Sequence, residues 1–174
     1  MNLNLKDSGT ARGSGADNQS SQNDVPVLRR AAMDYLARRE HSVYELQQKL
    51  SRKFPDAETE VLQQVLSKLR QENLQSDDRF AEAYARYRKT RGFGYLHVRL
   101  DLLSRRVDES IVEKYLHPED AEWKAIAEAL VLKKLGESEK LEFGSKRHKK
   151  LLRFFESRGF SMLEIRRVLE PRLI

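Results

Sequence analysis

The chain has 174 residues, a formal net charge of +6 and no cysteine, which excludes disulfides, thiolate metal sites and a thiol nucleophile. No apolar run reaches the ~20 residues a membrane span needs, and the N-terminus lacks the apolar core of a signal peptide, so a cytoplasmic protein with no membrane contact is expected. Residues 1–25 are mainly Gly, Ser, Asn, Asp and Gln, too poor in apolar groups to offset the cost of ordering, and read as a disordered tail. From Pro26 the pattern is helical. Helices are expected over 27–39, 43–53 and 57–72, with Pro55-Asp56 breaking the chain and capping the third. Asn73 closes this first unit. Ser76-Asp77-Asp78 opens a fourth helix that runs to about residue 90, a fifth spans 95–106, and Asp108 caps a sixth over 109–116. His117-Pro118 starts a seventh, 119–135, which Gly136 ends. Helices over 146–157 and 162–173 complete nine, while 137–145 reads as a loop or an extra turn of the eighth. The fold class is therefore all-α: a tail (1–25), then three tandem three-helix units over 26–74, 75–117 and 118–174.

The tandem reading rests on a repeat. Arg39-Glu40-His41-Ser42, Arg91-Gly92-Phe93-Gly94 and Arg158-Gly159-Phe160-Ser161 each join one amphipathic helix pattern to the next. Counting back four, seven and eleven from each Arg gives Tyr35, Ala32 and Leu28, then Tyr87, Tyr84 and Phe80, then Phe154, Leu151 and, with one lapse, Arg147. Counting forward gives Leu46 and Leu50, Val98 and Leu102, Ile165 and Leu169. These are helix faces, and Tyr35, Tyr84, Tyr87 and Phe154 on them are expected to pack in the core. Ser42 with Glu45 and Ser161 with Glu164 are expected to form capping boxes, whereas Gly94 is a weaker cap. Gly92 and Gly159 suit the left-handed residue that ends a helix, and Glu40 requires a different turn. Phe93 and Phe160 either plug the helix turn or offer a ring for stacking on a base or a partner.

The positive charge is clustered. Arg88, Lys89, Arg91, Arg105 and Arg106 lie around the second junction, and Lys146, Arg147, Lys149, Lys150, Arg153 and Arg158 lead into the third. These eleven are the candidate partner- or nucleic-acid-binding residues. Nothing points to catalysis. Asp77-Asp78 reads as a capping pair, since a Mg²⁺ site needs carboxylates converging from separate elements. His41, His97, His117 and His148 stand in no ligand or triad spacing and read as surface or rim residues. No glycine loop that cradles phosphate is present. An enzyme is not expected, nor a catalytic residue, a metal site or a cofactor.

The assembled motifs are Leu36-Ala37-Arg38-Arg39-Glu40-His41-Ser42 followed by Glu45-Leu46 and Lys49-Leu50, then Asp77-Asp78-Arg79-Phe80-Ala81, and the two later junctions. In order and spacing they resemble the RecX family of RecA regulators, from about Val27 to the end. Two features depart from the family pattern: Gln75-Ser76 replaces an apolar residue before the paired acids, where it bears on the cap of the fourth helix, and a long tail precedes Pro26. The resemblance implies a bent, elongated monomer that lodges in the groove of the RecA filament on single-stranded DNA. There it would limit filament extension or promote disassembly, restraining recombination, DNA repair and the SOS response. An alternative is a helical module that binds DNA without sequence preference and without RecA.

Overall fold

The computed structural model describes residues 16–137 and 139–174, with side chains from Val25 onward. Among these the chain forms α1 (Ala16–Leu36), α2 (Val43–Lys53), α3 (Thr59–Gln71), α4 (Asp77–Thr90), α5 (Tyr95–Ser104), α6 (Glu109–Tyr115), α7 (Ala121–Leu135), α8 (Lys146–Ser157) and α9 (Met162–Leu169), and then a short 3₁₀ turn, Glu170–Arg172. Six of these helices start where a short polar side chain accepts an orphan backbone N–H. Ser42 accepts from Glu45 N, Ser76 from Arg79 N, Asp108 from Ser110 N, Asp120 from Glu122 N, Ser145 from His148 N and Ser161 from Glu164 N.

Three apolar clusters divide the described residues. Leu28 and Ala32 of α1, Leu46 and Leu50 of α2, and Leu62, Val65, Leu66 and Leu69 of α3 form the first. Phe80, Ala81 and Ala85 of α4 meet Val98 and Leu102 of α5 and Val112 of α6 in the second. Ala127 and Val131 of α7, Leu151 and Phe155 of α8, and Ile165 and Leu169 of α9 form the third, with Phe160 between them. Each fully buried Leu, Val, Ile or Phe contributes roughly 1.5–3 kcal/mol. Trp123, 1% exposed, belongs to the second cluster although it lies on α7. The first turn of α7 thus completes the middle unit, and its remainder serves the third.

Several expectations are corrected. Helix α1 begins at Ala16 and not at residue 27, so 16–25 is helical where a disordered tail was expected. Val25 docks on the first core, and a helix already nucleated there extends backwards without forming a new nucleus. Residues 1–15 of that expected tail lie outside the described residues. The cap of α3 falls on Glu58, not Asp56. Helix α5 stops at Ser104 because Arg106 takes a left-handed φ of 55°. Helix α9 gives way to the 3₁₀ turn around Pro171, which has no N–H to continue the ladder. Beyond it Leu173 makes a single parallel bridge to Leu141, which ties the 137–145 connection to the chain end. Tyr87, expected inside, is 55% exposed, whereas His41 (2%) and His148 are buried rather than rim residues. One nitrogen of each ring is used: His41 Nδ1 lies 3.0 Å from the Arg39 carbonyl oxygen, and Gly144 N donates to His148 Nδ1.

Candidate polyanion face and the two joints between units

Residues 146, 149, 150 and 153 recur at helical spacing, opposite the buried stripe of His148, Leu151 and Phe155. Lys146, Lys149, Lys150 and Arg153 are accordingly all exposed, and none has an acidic partner among the described residues. Arg147 sits beside them but is held by Glu139. A groove of about 430 Å³ is lined by Lys134, Lys146, Arg147, Lys150, Leu151 and Phe154. Lys134, whose ammonium stands 4.6 Å from the Phe154 ring centre, escaped the sequence reading. It belongs to the Lys133-Lys134 pair in the last turn of α7, a signal visible in the sequence. Such a face offers several cations and one aromatic edge to a polyanion.

The central cations are placed differently. Arg88 donates to Tyr84 Oη (2.7 Å) and to Asp101 Oδ2 (2.6 Å). Lys89, its side chain 13% exposed, bonds both Asp120 (2.8 Å) and Glu122 (2.6 Å) and lies over Trp123. Arg105 bonds Glu45 at 3.0 Å. Arg158 donates to the Arg91 carbonyl at 2.5 Å. Arg106 lies over the Tyr44 ring, and Arg91 is exposed. Of the eleven candidate residues, then, Arg88, Lys89, Arg105, Arg106, Arg147 and Arg158 are drawn into contacts within and between the three-helix units.

Those contacts build two joints. At the first, Glu45 turns its carboxylate to Arg39 and Arg105 instead of back to Ser42 N, so the expected capping box is half formed and its acid links α2 to the end of α5. Ser42 Oγ also donates to the Arg105 carbonyl. Asp77 accepts from Val43 N at 2.8 Å, and Gln75 Nε2 donates both to the His41 carbonyl and to Asp77. The departure at Gln75-Ser76 therefore leaves the α4 cap in place and adds an inter-unit hydrogen bond. The second acid, Asp78, receives Lys114 and Tyr115 of α6, which bonds hold its carboxyl below the usual range.

At the second joint the complete capping box, Ser161 with Glu164, is present, and the contact is backbone on backbone. Gly94 N donates to the Arg158 carbonyl at 2.7 Å and Leu96 N to the Gly159 carbonyl at 3.1 Å. Phe160 is buried in the third core and plugs its turn, while the half-buried Phe93 stacks on His97 with ring centres 4.2 Å apart. Beside it Asp101 gathers Tyr84, Arg88, Arg105 and His97. Burial opposes its charge, but the Tyr84 hydroxyl and the two guanidinium groups prevail and keep its pKa low. Burial and Asp101 together push the Tyr84 phenol up to about 12. Burial likewise holds His41 and His97 below the ordinary histidine value. No group of three or more His, Asp or Glu able to hold a metal occurs among the described residues, nor any helix long and apolar enough to cross a membrane.

Comparison with known proteins accounts for this arrangement. Residues 29–69 match the family model described as RecX, first three-helix domain, and 76–116 match RecX, second three-helix domain. Regulatory protein RecX of Pseudomonas entomophila (strain L48) is 35% identical over 150 residues, covering 86% of this chain and 94% of that one. The protein of the same name from Pseudomonas fluorescens (strain SBW25) is 35% identical over 146 residues, covering 84% and 92%. In fold, the crystal structure of RecX from Lactobacillus salivarius superposes with a TM-score of 0.68 at 21% identity over 86% of this chain and 97% of that one. A second crystal structure, of regulatory protein RecX, gives 0.67 at 21% identity over 92% and 81%. With its helices, its junctions and its sequence aligned along most of their length to these proteins, the chain belongs to the RecX family of regulatory proteins.

Proposed function

We propose that this protein is a cytoplasmic, monomeric regulator of the RecA recombinase, mainly an inhibitor. It sits in the groove of the RecA filament on single-stranded DNA, limits filament extension or promotes disassembly, and so restrains recombination, repair and SOS signalling. The observation that carries this reading is the α8 face: Lys146, Lys149, Lys150 and Arg153 are exposed and, among the described residues, without acidic partners, on a chain of three-helix units whose repetition suits a repeating polymer. Arg91 and Arg106, both exposed, extend the set centrally. No catalytic step is required of the protein. It acts by occupying a surface that RecA protomers or DNA would otherwise use.

The test is ATP hydrolysis by RecA on single-stranded DNA, with this protein added well below one per RecA protomer. Substoichiometric inhibition supports filament regulation; inhibition that appears only when the DNA itself is saturated supports the second reading, a DNA-binding module that acts without RecA. Charge reversal at Lys149, Lys150 and Arg153 should weaken binding and leave the circular dichroism spectrum unchanged. If those side chains meet phosphates of single strands, log affinity falls with log salt by roughly 0.7 per phosphate neutralised, and the triple variant has the shallower slope. An unchanged slope would remove α8 from the interface.

A further inference from the structure

We propose that the Gly94–Gly159 contact, clasped by Arg158, is a positioning element that sets the third three-helix unit against the second and so aims the α8 cations. The aiming half of this inference rests on the polyanion reading given above. The first N–H groups of α5 have no side-chain cap, because the N-cap is Gly94. The third unit supplies that cap instead, through the carbonyls of Arg158 and Gly159. The start of α5 is therefore satisfied in one placement of the third unit.

Sterics narrow that placement further. A methyl group at Gly94 would stand 2.6 Å from the Gly159 carbonyl oxygen, and one at Gly159 would overlap the His97 backbone nitrogen. Both obstacles are backbone and cannot swing aside. Gly94 has an ordinary φ of −87°, so its lack of a side chain answers to the contact alone. The Arg158 guanidinium then spans the joint: it donates to the Arg91 carbonyl at 2.5 Å and reaches that of Gly92 at 3.4 Å, while its central carbon lies 4.6 Å from the Phe93 ring centre and 5.1 Å from that of Phe154. One nitrogen, Nη1, meets both carbonyls while the planar guanidinium packs against two rings, a combination that a compact, strongly hydrated lysine ammonium matches poorly. The junction motif of the third unit thus docks on that of the second, and Arg158 acts within the molecule.

The chain has no native cysteine, so Leu100→Cys with Leu132→Cys, both at exposed positions of α5 and α7, gives a clean spin-label pair across the joint. In the full chain the pair should report one narrow distance by double electron–electron resonance. Gly94→Ala should shift or broaden it with helicity retained, and should raise the concentration for half-inhibition of RecA ATP hydrolysis by about tenfold or more, as lost simultaneous engagement requires. Gly136→Ala and Gly144→Ala share the left-handed backbone of Gly159, at φ +77° and +74°, but have open space around them; the distance should not change in either. Arg158→Lys should behave like Arg158→Ala in both measurements. An unchanged distance in Gly94→Ala, or full rescue by Arg158→Lys, overturns the positioning element. A changed distance with undiminished inhibition overturns the aiming half. Failure of the unsubstituted protein to inhibit RecA overturns the functional reading, and the distances then decide the joint alone.

Discussion

The two joints use the same stretch of the repeat in opposite ways. Where Arg39-Glu40-His41-Ser42 meets the second unit, side chains make the connection: Glu45 to Arg105, Arg79 to Glu40, Asp77 to Val43 N. Where Arg91-Gly92-Phe93-Gly94 meets Arg158-Gly159-Phe160-Ser161, two glycines admit backbone to backbone, and rings and a guanidinium pack around them. Both joints leave buried polar atoms without hydrogen bonds among the described residues, Glu40 Oε2, His41 Nε2 and Gln75 Oε1 at the first and His97 Nε2 at the second, each at a desolvation cost. A glycine in the turn decides whether neighbouring units can share peptide groups; without one, they must reach each other through long side chains, which salt and acid can disturb.

The largest effect should come from breaking the apolar part of the second joint. Trp123→Ala, at a 1% exposed site in the second core, should cost about 3–5 kcal/mol in urea unfolding followed by circular dichroism. A cost below about 1 kcal/mol would mean that the first turn of α7 does not belong to the middle unit. Breaking the first joint should cost less. Glu45→Gln removes a carboxylate shared by Arg39 and Arg105, and about 1–2 kcal/mol should be lost, decreasing at high salt, with a matching coupling energy in a double-mutant cycle with Arg105→Met.

Acid acts on both joints, through His41 at the first and through His97 and Asp101 at the second. Burial holds the pKa values of His41 and His97 below the ordinary 6.5, so as the pH falls the unfolded chain takes up these protons before the folded one does. Stability should be level above about pH 6.5 and decline as the pH falls below it. Asp101 and Asp120, both held below the ordinary 3.8, should add a second decline below that value. His41→Gln should flatten the first of these, as read from thermal midpoints across pH. The smallest effect is expected at neither joint: Glu82→Ala removes an exposed i,i+4 partner of Arg86 and should change stability by about 0.3 kcal/mol.

Much of the fold was legible because helix starts are written locally. Ser42, Ser76, Asp108 and Ser161 each cap the helix they precede, and Gly92 and Gly159 take the left-handed conformation their position suggested. What could not be read was convergence across long separations. A motif places Glu45 three residues after Ser42, but nothing local says that Arg105, 60 positions on, will take its carboxylate. The central arginines carried the same ambiguity: Arg88 and Arg158 look like surface cations until the fold sets Tyr84, Asp101 and the Arg91 carbonyl beside them. On α8 the periodicity of Lys146, Lys149, Lys150 and Arg153 already put them on one face away from the core, so that part of the basic patch was visible in the sequence. Tyr87 ended on an unexpected side because a stripe fixes which residues share a face, not how wide the buried sector is, and His41 lies in the turn between α1 and α2, where no helical stripe reports burial.

Trp123 is the sole tryptophan. Its indole N–H donates to the His117 carbonyl, Lys89 lies 4.4 Å from its ring centre, and Tyr95 meets it edge-on. Every photon emitted on excitation at the red edge of the absorption band therefore originates at the seam between α7 and the middle unit. The protein carries its own fluorophore at the place where its second and third units meet, and the wavelength and anisotropy of that emission can follow the seam in solution, unlabelled.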